Sequence, residues 1–286
     1  GAIGVLSSNN RVYIKDSTFK NNIATVRGGA LCFSDRSNVV DIINCLFVNN
    51  TVQTEHSMSD TLGTGGAIYS GGNTSLVVSN SSFGQNTAGC AGAIYNANNG
   101  TLIINSSSFT SNRAEYESKL GYGGAIMIGN GFLTVKKSTF RYNYALNGGA
   151  ISINSGTNAS IFSTLFYNNH ARETGGAISC FADLLIGAIS SESTYLTWTL
   201  KNTQFNNNVA KYASSRGGAF YMESIRSQAY IESCSFKNNT LAGGGKSYGG
   251  AISIFGKENI ISVRSTYCNG NLAQYGGALY NHMDNY

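Results

Sequence analysis

Two short motifs alternate along the whole chain, and no other feature restricts its possible folds as much. One is Gly-Gly-Ala followed by an apolar residue, at Gly28-Gly29-Ala30-Leu31, Gly65-Gly66-Ala67-Ile68 and Gly123-Gly124-Ala125-Ile126. It is varied to Ala91-Gly92-Ala93-Ile94 and continues from Gly148, Gly175, Gly217, Gly249 and Gly276. The other is an aromatic residue with asparagine three places on: Phe19 with Asn22, Phe47 with Asn50, Phe83 with Asn86, and Phe109 with Asn112. Phe140 with Asn143, Phe166 with Asn169, Phe205 with Asn208 and Phe236 with Asn239 follow, and in a ninth copy Cys268 precedes Asn271. Alanine stands two places after the asparagine in seven of the nine copies. A fixed period of roughly 31 residues is the signature of a repeat architecture, in which each unit buries its core only against its neighbours.

The spacing separates a rigid arc from a variable one. From the first residue of a glycine motif to the next aromatic anchor is 17 to 19 residues in seven of eight repeats; from anchor to the following glycine motif it ranges from 8 to 18. Constant arcs belong to stacked structure and variable ones to loops leaving one side of the stack. The exception in the constant arc, between Gly175 and Phe205, adds the apolar insertion 182–193, which contains Ala182-Asp183-Leu184-Leu185-Ile186. This insertion suits either a lateral contact with another copy or a fold back over its own coil.

Within the constant arc the pattern has period two. Positions seven and five before the anchor are apolar (Val12 and Ile14, Leu76 and Val78, Leu102 and Ile104, Leu133 and Val135, Trp198 and Leu200), and the position two before it is always small, from Ser17 and Cys45 to Cys234 and Thr266. Such alternation reads as strand, with two or three short strands per repeat joined by bends at Gly-Gly-Ala and at Asn, residues that tolerate positive φ. The expected fold is all-β: a right-handed parallel β-helix of about nine to ten coils, a single solenoid over 1–286, with variable loops on one side. Coils stack at about 4.8 Å. Phenylalanine therefore piles on phenylalanine inside, and asparagine on asparagine at the bend, each amide donating to the next carbonyl. Proline is absent from all 286 residues, as expected where neighbouring coils use each backbone N–H.

The alternation of Gly-Gly-Ala-Ile/Leu with Phe-x-x-Asn resembles the repeat of the chlamydial polymorphic outer membrane proteins, from Gly1 to Leu279. The resemblance implies a β-helical passenger, a secreted or cell-surface location, and an adhesive or structural role. It singles out no binding residue, and that family's C-terminal membrane barrel has no counterpart in these residues.

Composition excludes several other classes. Only 12% of residues are charged and 42% are apolar, too few charges for a helical bundle and too apolar for a disordered tail. No run reaches the ~20 apolar residues of a membrane-spanning helix. The net charge of +5 reads as scattered, so no nucleic-acid partner is expected. Polysaccharide-cleaving β-helices need clustered carboxylates; the acidic residues do not recur at stacked positions, and Glu115, Glu117 and Lys119 read as a solvated loop tip. The Gly-rich segments lack the Lys-Ser/Thr of a phosphate loop. His56, His170 and His282 share no repeat position and read as loop surface, so neither a metal nor any other cofactor is expected.

The six cysteines suggest at most one disulfide. Cys45 and Cys234 fall in the small-residue column, Cys180 where other repeats have Ile128, Ile153 or Ile254, and Cys268 at the anchor; all four read as small buried apolar groups. Cys32 and Cys90 are less constrained. Seven sequons, at Asn49, Asn73, Asn80, Asn99, Asn105, Asn158 and Asn238, are candidates for N-linked glycans in a eukaryotic host. Asn73 and Asn99 suit a surface bend, whereas Asn49 and Asn238 adjoin the internal asparagine ladder. Trp198 takes an inward position. Tyr69, Tyr95, Tyr221 and Tyr280 share an outward column that is either a sugar- or partner-facing stripe or plain sheet surface.

Both ends fall next to a glycine motif, without a capping helix or proline, and open solenoid ends expose unpaired strand edges. The first expectation is a non-catalytic extracellular structural protein that self-associates end to end in a fibre or coat. An adhesin passenger binding through loops 53–64, 115–122 and 211–216 is the second, and a polysaccharide-binding or polysaccharide-cleaving β-helix the third.

Overall fold

The first strand of each repeat follows the glycine pair, and its neighbours in space are the first strands of the repeats before and after. The structure, a computed structural model, describes residues 1–34, 37–53, 63–97, 99–116, 119–154, 156–181, 196–212, 214–225 and 227–283. Among them there are strands, turns and bends and no helix. The strands form four sheets, each taking one strand from every coil in sequence order. The first sheet has ten strands, from Ile3–Val5 to Leu279–Met283; the second has nine, from Arg11–Lys15 to Ile260–Arg264; the third has nine, from Thr18–Lys20 to Tyr267–Asn269. The fourth runs from Ile23–Ala24 to Thr240–Leu241. All pairings along these paths are parallel, and the chain is a parallel β-helix solenoid.

Register is kept from coil to coil. Val12, Val40, Leu76, Leu102, Leu133, Ala159, Trp198 and Ala229 pair in one file, and Ile14, Ile42, Val78, Ile104, Val135, Ile161, Leu200 and Ile231 in the next but one. Both files point inward, where they meet Leu31, Ile68, Ile94 and their counterparts from the first sheet in one continuous apolar core. The eight phenylalanines stack with ring centroids 4.6 to 4.9 Å apart and planes within 10°. A one-residue slip in any coil would turn its whole inward set to solvent.

The asparagines form a second file beside the rings, buried from Asn50 to Asn239. Each Nδ2 donates to the Oδ1 of the next coil, from Asn22 to Asn50 at 2.8 Å through Asn112 to Asn143 at 3.0 Å to Asn239 and Asn271 at 2.9 Å. That same Oδ1 also accepts the backbone N–H of the preceding asparagine, as from Asn112 to Asn143 at 3.0 Å. The remaining amide hydrogen bonds the anchor carbonyl of the preceding coil, Asn143 to Phe109 O at 3.0 Å. A side chain bonded this way uses two donors and two acceptor sites, its full capacity.

Several expectations are corrected. The first eight repeats have four strands each rather than two or three, and the ninth three; the fourth strand, two residues long in Ile23–Ala24, Thr51–Val52 and Thr87–Ala88, follows the ladder asparagine directly. Positive φ does not fall on the ladder asparagine but on the residue before it: Asn21, Asn49, Gln85, Ser111, Tyr142, Asn168, Asn207, Asn238 and Gly270. A second such column, Asp16 to Ser265, precedes the small residues. Cys268 is exposed, because it ends the file of rings, while Cys45, Cys180 and Cys234 are buried as expected. The supposed tip at Glu115 and Lys119 is a small antiparallel hairpin, Arg113–Tyr116 with Lys119–Leu120, and Glu115 binds the Arg113 guanidinium. Glu117 lies outside the described residues, as do His56 and the insertion 182–193. His170 and His282 lie on strands His170–Thr174 and Leu279–Met283, not on loops.

The glycine pair has two separate causes. Gly123 has φ +68°, and a Cβ on Gly124 would lie 2.1 Å from Gly149 O and 2.6 Å from Tyr144 N. The first glycine is needed for conformation, the second for close approach of the bend to the fourth sheet of the next coil.

Asn143→Ala strips a bonding partner from two donors on Asn112 and one carbonyl at Phe109, all buried. It is expected to cost about 3 kcal/mol or more. Asn143→Asp, which keeps the acceptors and loses both donors, should cost at least as much at neutral pH. Denaturant unfolding checks both, and an unchanged midpoint in either would remove the ladder from the stability argument.

Candidate functional site

The bend at each glycine pair brings together two outward side chains, the residue just before the pair and the residue five places later. Thr174 Oγ1 and Ser179 Oγ are 2.8 Å apart, and Arg216 Nη1 donates to the Tyr221 hydroxyl at 3.1 Å. The Arg27 guanidinium lies 4.7 Å above the Tyr69 ring of the next coil, and Tyr248 lies 4.7 Å from Tyr280. Outward side chains meet across a bend only where it is re-entrant, so a lengthwise corner groove runs between the fourth and first sheets. The variable arcs leave the solenoid at this same corner, so loops flank the groove.

The groove explains why the first sheet is buried on both faces. Tyr69 is 8% exposed, Tyr221 1% and Ser152 0%, whereas outward Tyr13 and Phe132 on the second sheet are 62% and 56% exposed. The expected tyrosine stripe is interrupted. Tyr69 stacks on Tyr95 at 5.7 Å, but Met127, Ser152 and Ser179 separate them from Tyr221, and Ser253 separates Tyr221 from Tyr280. Two aromatic groups result, joined by the edge contact of Tyr122 with Phe181 at 6.4 Å. Toward the N-terminal coils, Tyr95 and Tyr122 pack on Cys90, Ala91 and Met127. Toward the C-terminal coils, Phe181, Tyr221, Phe255, Tyr248 and Tyr280 lie in edge and tilted contacts.

Charge enters at the second cluster. The Tyr221 hydroxyl donates to the Glu223 carboxylate and accepts from Arg216, whose guanidinium lies 3.9 Å from Glu223 and 4.2 Å above the Phe255 ring. Burial, then the bond and charge of Glu223, push the Tyr221 phenol well above its ordinary value despite the opposing Arg216. Burial likewise raises the Cys90 and Cys180 thiols and lowers the His170 imidazole. The arrangement holds a buried phenol between a carboxylate and a guanidinium that lies on the Phe255 ring. Among the described residues no group of three His, Cys, Asp or Glu is placed to hold a metal ion.

The sequons fall on the convex faces, away from this corner. Asn49, Asn73, Asn80, Asn99 and Asn238 are exposed, and Asn105 and Asn158 half-buried. Asn49 and Asn238 are not crowded by the ladder, because they hold the left-handed position beside it and point outward; Asn49 Nδ2 donates to Asn21 Oδ1 at 2.9 Å. Asn158 is engaged, its Oδ1 accepting the Thr197 N–H at 2.7 Å. A further ladder went unread in the sequence. The small residues two before the anchor hydrogen-bond from coil to coil, with Ser81 N–H donating to Ser107 Oγ and Ser107 N–H to Ser138 Oγ, both at 3.1 Å. Seven of the nine residues in that column are Ser or Thr, which was the available signal.

Tyr221→Phe removes one hydroxyl from two charged partners and should cost about 1–2 kcal/mol. The folded-state phenol value is raised, so its contribution is intact below the ordinary tyrosine value near 10 and is lost as pH climbs through the folded value. Absorbance titration should show the most alkaline tyrosine step missing in the variant. Superimposable titration curves would contradict the assignment.

Three stretches of the chain, residues 16–34, 44–71 and 163–180, match the model of the Chlamydia polymorphic membrane protein repeat. The metabotropic glutamate receptor-like protein R of Dictyostelium discoideum is 28% identical over 182 residues, which is 64% of this chain and 9% of that protein. The chain thus spans under a tenth of the length of this relative. No solved structure matches. Each of the three matched stretches contains one Phe-x-x-Asn motif and the Gly-Gly-Ala motif that follows it, and in these stretches the chain is similar to the Chlamydia polymorphic membrane protein repeat.

Proposed function

We propose that the chain is a non-catalytic, surface-displayed structural unit whose coils stack end to end with coils of the same kind in a fibre or coat. One observation carries this reading: the ring and asparagine files run in unbroken register through the coils, so each face of a coil is shaped to receive another of its kind. Unpaired parallel edges with apolar side chains invite another strand of matching register. Ile23 and Leu272 occupy the same column of the fourth sheet, through Thr51, Thr87, Arg113, Tyr144, His170, Val209 and Thr240. A second copy continuing the helix would set its Ile23 beside Leu272 of the first. The repeat's kinship with membrane-associated surface proteins and the match to a receptor-like protein support display at a cell surface or outside the cell, with exposed sequons such as Asn73 and Asn99 as glycan acceptors in a eukaryotic host.

The corner groove favours a second reading, an adhesin or receptor segment that engages its ligand along the aromatic clusters and their flanking loops. The two readings are compatible, since one uses the ends and the other a side.

The 286-residue chain should form linear oligomers whose mass by light scattering grows with concentration and whose width in electron micrographs stays constant. Ile23→Glu with Leu272→Glu places like charges in adjacent strands at about 5 Å and should return the protein to monomer. A wild-type monomer at every concentration, or oligomers indifferent to the double substitution, would overturn end-to-end stacking.

A further inference from the structure

The chain's positive charge, dispersed in the sequence, is gathered by the fold onto one face. Outward positions at the edge of the second sheet form the file Lys15, Ile43, Ser79, Asn105, Lys136, Phe162, Lys201, Glu232, Arg264. Around the next bend, the outward file of the third sheet contains Arg141, Tyr167, Asn206, Lys237 and Asn269 over the same coils, and Lys137 holds the bend between them. From the fifth coil to the ninth this face thus has six cations, Lys136, Lys137, Arg141, Lys201, Lys237 and Arg264, against one anion, Glu232. Its net +5 equals the net +5 of the whole chain, which has 19 Lys and Arg against 14 Asp and Glu. The rest of the molecule is neutral in sum.

The cations are held in place. Lys136 Nζ lies 5.9 Å from the Phe162 ring centroid, the Arg141 guanidinium 5.9 Å from Tyr167, and Lys237 Nζ 5.4 Å from Tyr267. Tyr142 braces Tyr167 edge-on at 5.8 Å. Lys201 is paired with Glu232 at 3.0 Å. Aromatic rings that hold a cation cost it little and keep it extended toward solvent. Between them stand neutral hydrogen-bonding side chains, Asn202, Gln204, Asn206 and Ser235.

We propose that this strip binds a linear anionic polysaccharide, its sulfate or carboxylate groups on the cations and its hydroxyls on the intervening amides. Along the second-sheet file Lys136, Lys201 and Arg264 recur at every second coil, about 9.6 Å apart, comparable to the length of a disaccharide unit in an extended chain. The surface is a straight convex edge, fitted to a polymer lying along the rod. Nucleic acid is the poorer match, because single strands bind by stacking bases on open aromatic faces, and here those faces are taken by the cations. The strip is independent of the end faces and of the corner groove, so its failure would leave end-to-end stacking untouched.

The test uses the intact chain and three immobilised probes: a heparin-type sulfated polysaccharide, poly-uridine RNA and poly-glutamate. The sulfated polysaccharide should bind most tightly, with an affinity that falls steeply as salt rises. Lys137→Gln, Arg141→Gln and Lys237→Gln combined should weaken it at least tenfold, with thermal unfolding unchanged because all three side chains are exposed. A control triple, Arg172→Gln, Lys211→Gln and Lys246→Gln, removes the same charge from other exposed sites and should leave binding within twofold. Equal losses in the two triples, or tighter binding of either other probe, would overturn the proposal.

Discussion

The asparagine amide is the group on which register, spacing and repeat length all depend. It offers two donors and two acceptor sites in one plane, and each is used across a coil boundary. Oδ1 accepts the N–H and Nδ2 of the preceding asparagine, while Nδ2 reaches the preceding anchor carbonyl and the following amide. An aspartate supplies no donor, a serine only one, and a glutamine is too long to span successive coils in the same geometry. The apolar files are more forgiving. Trp198 stands among Ala159, Ala229 and leucines, and a core of this kind tolerates exchange as long as volume is kept. This contrast explains why asparagine recurs in all nine coils while the inward strand positions merely stay apolar.

The same contrast sets what could be read from sequence. Phenylalanine and asparagine were visible because each file has one chemical solution. The fourth strand was not, since two residues are too few to show a period; its only trace was the alanine two places beyond the asparagine, now seen as the inward residue at Ala88, Ala114, Ala145, Ala171 and Ala210. Left-handed positions were misplaced by one. The residue before the ladder varies from Asn to Gln, Ser, Tyr and Gly, because the cost of positive φ is only about 1 kcal/mol per residue, whereas an unmet amide buried in the ladder costs several times that. Across the nine repeats the ladder position is thus always asparagine, while the position before it varies.

The candidate surfaces were illegible for a different reason. Whether an outward column is open or enclosed depends on the sense of the bend beside it, and a glycine pair marks a bend without giving its sense. Tyr69 and Tyr221 therefore looked like sheet surface until the contacts of Arg27 and Arg216 showed the corner to be re-entrant. Charge suffers more from projection. Lys136 and Arg264 are separated by four complete repeats in sequence, yet lie on one file.

Stacking also determines how such a molecule can change. The backbone bonds of the four sheets run to the coil before or after, so a loop inserted beyond the fourth strand leaves the ladders and the register as they were. Apart from the insertion 182–193, the variable arcs fall between the fourth and first sheets, whereas the basic edge lies between the second and third. One side of the rod is therefore free to vary in length and sequence while the opposite side stays straight and regularly spaced. A rod divided in this way can keep a constant attachment along one edge and present changing surfaces along the other, since no contact in the ladders links the two demands.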